Sequence, residues 1–137
     1  MKMPLMIQLL QAEGYKLFHT GSRAICSKPP EASDDDWVVM YEMGLTDLLE
    51  RNGYVADPWD SATYDAAEGH TPVASYRKNG VNIVVTTSQK FFDLTKLATD
   101  IATELHIKTR DERVNLFHAV RSGEFKTARQ WANRGIA

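Results

Sequence analysis

The chain has 137 residues, 43% hydrophobic and 25% charged, with 16 Lys and Arg against 18 Asp and Glu for a formal net charge of −2. That length suits one domain with its own core, and the balance excludes a disordered chain. The near-neutral charge excludes a globally basic nucleic-acid binder, and the single cysteine, Cys26, excludes a disulfide framework or a CxxC zinc site and points to a reducing compartment.

Met6, Ile7 and the leucines at 5, 9 and 10 predict a first helix, with Pro4 near its start and Gly14 past its end. YKLFHT (15–20) follows as a short strand closing at Gly21-Ser22, from which a short helix can run through RAIC. SKPPEAS (27–33) is a loop, because two prolines exclude helix or central strand. DDDWVVMY (34–41) reads as a buried strand entered from an acidic end, with Trp37 and Tyr41 in the core. LTDLLERNG (45–53) predicts a helix stopped by Gly53.

GYVAD is a candidate strand, and PWDSATYDAAEGH has the turn chemistry of an exposed loop, whose Trp59 and Tyr64 either stack on a base or, the favoured reading, fold back on the domain. TPVASYRKNGVNIVVTT predicts a hairpin with a type I′ turn at Asn79-Gly80, its Arg77 and Lys78 at a solvated tip. Phe91, Leu94, Ala98, Ile101 and Leu105 form one helical stripe, Val114, Phe117 and Val120 a second, and a short helix is expected over 125–131. The order predicts an α+β fold with a mixed sheet, one domain over 1–137 with a core over 15–90 and C-terminal helices over 91–137. No window reaches about eighteen apolar residues, so a cytoplasmic domain without membrane contact is expected.

The acidic strand carries the chemistry. Alternation sends Asp34 and Asp36 to one face and Asp35 to the other. Two like charges on one face need a counter-charge, which a divalent cation supplies. Upstream, backbone N–H groups at the Gly21-Ser22 bend and the Ser22 hydroxyl offer an anion site, with Arg23 placed to reach phosphate oxygens. The bland alternatives are a solvated acidic turn and an exposed arginine. His19 reads as a satisfied strand-end histidine, and Cys26 as an inert thiol.

Strand, Gly-Ser, spacer, then Ser33-Asp34-Asp35-Asp36-Trp37-Val38-Val39 resembles the nucleotidyltransferase superfamily of the DNA polymerase β type. The whole chain, including the ending DERVNLFHAVRSG, also looks like small nucleotidyltransferase-like proteins of tailed bacteriophages. Asp35 departs from the superfamily pattern, where that position is apolar. The third carboxylate of that pattern falls in Val81-Asn82-Ile83-Val84-Val85, so its position here is Asn82. The resemblance implies a nucleotidyltransferase-like sheet with flanking helices. It also implies Mg²⁺ or Mn²⁺ on Asp34 and Asp36, with Asn82 a compromised third ligand, and a nucleoside triphosphate at Gly21, Ser22 and Arg23. The implied reaction moves a nucleoside monophosphate from the triphosphate to a hydroxyl of a protein, RNA or small molecule. An amide offers a metal neither a negative charge nor carboxylate basicity. The rival reading is therefore a catalytically inactive phage protein that binds a nucleotide or a host protein in the infected bacterial cytoplasm, blunting a defence or redirecting an enzyme.

Overall fold

A computed structural model describes residues 3–26, 29, 33–57 and 73–133. The elements run α1 (Leu5–Ala12), β1 (Leu17–Thr20), α2 (Ser22–Ile25), β2 (Asp35–Met40), α3 (Leu45–Arg51), β3 (Val55–Asp57), β4 (Val73–Lys78) and β5 (Val81–Thr86). Three helices follow: α4 (Gln89–Glu104), α5 (Arg110–Arg121) and α6 (Ala128–Ala132). This is the expected α+β arrangement. The loop predicted from Pro58 to His70, with Trp59 and Tyr64, lies outside the described residues.

Among the described residues five strands form one mixed sheet in the order β1-β2-β5-β4-β3. β2 and β5 are parallel, and the other neighbours are antiparallel. The β4–β5 hairpin turns at Asn79 (φ 48°) and Gly80 (φ 78°), the pair of positive φ angles that a type I′ turn requires. Its register follows from the burial of Ile83, Val84 and Val85 on alternating faces, since a one-residue slip would turn each to the wrong side.

Period-two alternation divides the core between the two faces. On one, Trp37, Val39, Ile83 and Val85 pack with Ile7 and Leu10 of α1 and Leu45 and Leu49 of α3. On the other, Phe18, Val38 and Val84 lie with Phe91 and Phe92 of α4. Each large apolar side chain so buried contributes about 1.5–3 kcal/mol. A third cluster joins α4 to α5 and α6 through Ala98, Ile101, Leu116, Val120 and Trp131, with Ile25 of α2. Side-chain caps fix where these helices begin: Ser88 accepts from the Phe91 amide, Thr109 from Glu112 and Thr127 from Gln130. The final helix is shorter than the predicted 125–131 pattern, since Thr127 caps it. Tyr41 leaves the core: it follows the last β2 residue and is 42% exposed. No described helix is long and apolar enough to cross a membrane.

Candidate functional site

Register places one polar row across four strands. Thr20 of β1 opposes Asp36 of β2, Asp36 opposes Asn82 of β5, and Asn82 opposes Arg77 of β4. The row shares its face with Phe18, Val38 and Val84, two residues along each strand. Here the apolar layer gives way to a cleft of about 560 Å³. Thr20, Gly21, Ser22, Ser33, Asp34 and Asp36 line one side of it.

Gly21 fits against Asp36. It holds φ at 75°, and a Cβ there would run into the Asp36 carboxylate and lie 3.1 Å from Asp36 Cβ. Glycine is therefore required twice over, by the backbone angle and by the contact. α2, which begins at Ser22, is a single turn of four residues and contributes little macrodipole, so Ser22 offers its hydroxyl more than a helix end.

Asn82 is turned toward Asp36: its Nδ2 donates to Asp36 Oδ1 at 3.0 Å. Burial raises the Asp36 carboxyl to a pKa of about 6; the Asn82 hydrogen bond opposes this, while the Asp34 charge adds to it and Arg77 works against it. Arg77 also reaches Asp34 (Nη1 to Oδ2, 3.4 Å), both side chains being well exposed, so this arginine of the hairpin belongs to the margin of the acidic pair. Asp34 and Asp36 are thus close enough for their charges to repel. Among the described residues no group of three or more His, Cys, Asp or Glu side chains is arranged to hold a metal ion. The donor set fits one cation on two carboxylates, with the third position occupied by an amide that donates to Asp36.

The remaining wall comes from the C-terminal helices. Lys108, Arg110, Arg113 and Arg121 line the cleft together with Thr95, Val114 and Phe117. Arg113 Nη1 donates to the Lys108 carbonyl at 3.2 Å, and its guanidinium also contacts Cys26 Sγ at 3.7 Å. Arg121 is buried, donates from Nε to the Phe117 carbonyl and lies over the rings of Phe91 and Phe117. Sequence reasoning missed this basic wall. Its trace was available: positions 110, 113, 114, 117 and 121 recur at helical spacing and put three arginines on one stripe with Val114 and Phe117.

Gly21, Ser22, Asp34 and Asp36 are therefore brought to one cleft, and Asn82 stands behind Asp36. Arg23 is elsewhere: its Nε donates to the Ser33 carbonyl at 2.9 Å, tying α2 to the entry of β2 rather than lining the cleft. Asp35 faces the opposite side of the sheet, where His19 Nε2 lies 2.5 Å from its Oδ1 and the His19 ring stacks on Trp37 at 4.3 Å. The Asp35 charge also helps burial raise the Tyr54 phenol above its ordinary value. The middle aspartate thus has its own partner and takes no part in the cleft. No protein family, no curated protein and no solved structure matches this chain.

Proposed function

We propose that the cleft binds a nucleoside triphosphate with one divalent cation, and that the domain is a protein of nucleotidyltransferase type whose transfer chemistry is weakened at Asn82. The observation that carries this reading is the mixed lining of one cleft: Asp34 and Asp36 beside the Gly21-Ser22 bend, and Lys108, Arg110, Arg113 and Arg121 among its other lining residues. Four cationic side chains against two carboxylates leave a positive surplus, which a cation on the acidic side would increase. One phosphate monoester, at about −1.5 to −2, would not neutralise it, whereas a polyphosphate would. Asp34 and Asp36 would hold Mg²⁺ or Mn²⁺, and Ser22 with the basic wall would bind phosphoryl oxygens. Such a cation supplies charge neutralisation and a lowered pKa for an attacking hydroxyl. Asn82 holds Asp36 in place through its amide N–H but adds no negative charge and takes no proton.

That hydrogen bond favours a second reading, in which the protein binds nucleotide without transferring it and acts on an RNA or a protein of the host cell. Calorimetry with ATP, GTP, CTP and UTP in the presence of Mg²⁺ or Mn²⁺ tests the shared premise. Cation-dependent binding that is lost in Asp34→Ala and Asp36→Ala is expected; equal binding by wild type and both variants refutes the site. Asn82→Asp separates the two readings. If transfer of label from the α-phosphate rises in this variant by about an order of magnitude or more, the chemistry was limited by the missing carboxylate. If neither protein transfers label, the binding reading stands.

A further inference from the structure

Three threonines recur at one-turn spacing along α4. Thr99 Oγ1 bonds back to the Thr95 carbonyl at 2.8 Å, and Thr103 Oγ1 to the Thr99 carbonyl at 2.8 Å, the usual resting place of a helical threonine hydroxyl. Thr99 Oγ1 also lies 2.7 Å from Thr20 Oγ1, so this part of the ladder is satisfied. Thr95 breaks the pattern. It is 1% exposed, and its hydroxyl has no hydrogen-bond partner among the described residues. It nevertheless lines the cleft, beside Val114 and Phe117 of α5. Buried hydroxyls are otherwise almost always bonded, and one left unbonded beside a cavity calls for an explanation, of which a ligand atom is one.

The chemistry of the surroundings indicates which atom. Charged groups of the cleft belong to the acidic pair on one side and to Lys108, Arg110, Arg113 and Arg121 on the other. Among the lining residues from the C-terminal helices, Thr95, Val114 and Phe117 are the uncharged ones, and Val114 and Phe117 the apolar ones. A phosphoryl group is held by cations and multiple N–H donors, whereas a neutral hydroxyl flanked by aliphatic and aromatic carbon suits an uncharged, partly apolar moiety. Phe117 is half-buried and the Arg121 guanidinium lies over its ring, so a flat group from the cleft would meet this aromatic side chain beside a cation.

Resting on the nucleotide reading above, we infer that Thr95, Val114 and Phe117 form the seat of the nucleoside moiety, and that the Thr95 hydroxyl hydrogen-bonds to its sugar or base. The triphosphate then extends from this seat toward the charged walls. Thr95 is a ligand-contacting residue here, with no role in the fold that requires its oxygen.

Thr95→Val, which keeps the shape, and Thr95→Ser, which keeps the hydroxyl, test this with two probes: MgATP and magnesium tripolyphosphate. Thr95→Val is expected to weaken MgATP binding about tenfold, the effect of one lost hydrogen bond, while tripolyphosphate binds as in wild type and Thr95→Ser retains most of the affinity. Thermal melts of the free proteins should place Thr95→Val at or above wild type, because its hydroxyl is unbonded in the fold. Unchanged MgATP affinity in Thr95→Val, or equal losses for both probes, overturns the nucleoside seat while leaving the polyphosphate site standing. A lower melting temperature for Thr95→Val assigns the hydroxyl to the fold and overturns it as well. Should wild type bind neither probe, the nucleotide reading itself fails and takes the seat with it.

Discussion

Asp36→Asn should make the metal-free protein more stable at neutral pH while removing its affinity for cation and nucleotide. The side chain keeps its shape and an oxygen to accept from Asn82 Nδ2, but the half-buried charge is gone. Burial, aided by the Asp34 charge, raises the Asp36 carboxyl from 3.8 to about 6, and each pKa unit corresponds to about 1.4 kcal/mol. The difference of roughly two units gives up to about 3 kcal/mol of destabilisation in the ionised state. Its direction follows from proton binding: between pH 4 and 6 the folded chain holds a proton that the unfolded chain has released. Stability of wild type therefore falls as pH rises through that window and levels off above it. Urea denaturation at pH 4.5 and pH 8, followed by the fluorescence of the buried Trp37 and Trp131, spans most of the fall. Asp36→Asn should lack the fall and exceed wild type at pH 8; added Mg²⁺ should then stabilise wild type but not the variant. A variant less stable than wild type at pH 8, or a wild type with no fall between pH 4 and 7, refutes the reasoning.

Gly21→Ala should destabilise the fold by about 2 kcal/mol or more, since alanine is strained at φ 75° and its Cβ meets the Asp36 carboxylate. Thermal denaturation checks the loss, and calorimetry with MgATP should show binding weakened alongside it. His19→Phe should keep the stack on Trp37 but strand the buried Asp35 carboxylate, a loss of about 2 kcal/mol by urea denaturation. Combining it with Asp35→Asn should recover most of that loss, and a double variant as unstable as the sum of both changes would disprove the pairing.

The two carboxylates were legible because strand alternation is a local rule: Asp34 and Asp36 share a face whatever the rest of the chain does. Asn79-Gly80 was legible for a similar reason, as its turn needs only its own two φ angles. Asn82 was placed opposite Asp36 by a pattern, and the parallel β2–β5 register brings them side by side. The basic wall had no such local signature. Lys108 and Arg110 are exposed residues that ordinarily mean a solvated surface, and only the packing of α5 on α4 brings Arg113 and Arg121 to the lining of the same cleft as the carboxylates. Arg23 is absent from the lining of the cleft, and its Nε donates instead to the Ser33 carbonyl, a tertiary contact that no local pattern announces. His19 and Asp35 lie sixteen positions apart, and their meeting depends on the antiparallel β1–β2 register, which no short stretch encodes.

The parallel pairing of β2 with β5 has a kinetic consequence. Asp36 and Asn82 are separated by 46 positions, and Thr20 and Thr99 by 79, so the cleft closes only after long stretches of chain have surrendered their freedom. The β4–β5 hairpin and the α4–α5 pair can assemble from near neighbours well before that. The ligand proposed above, seated between sheet and C-terminal helices, would grip contacts made late on the route to the native state, slowing unfolding far more than it speeds folding.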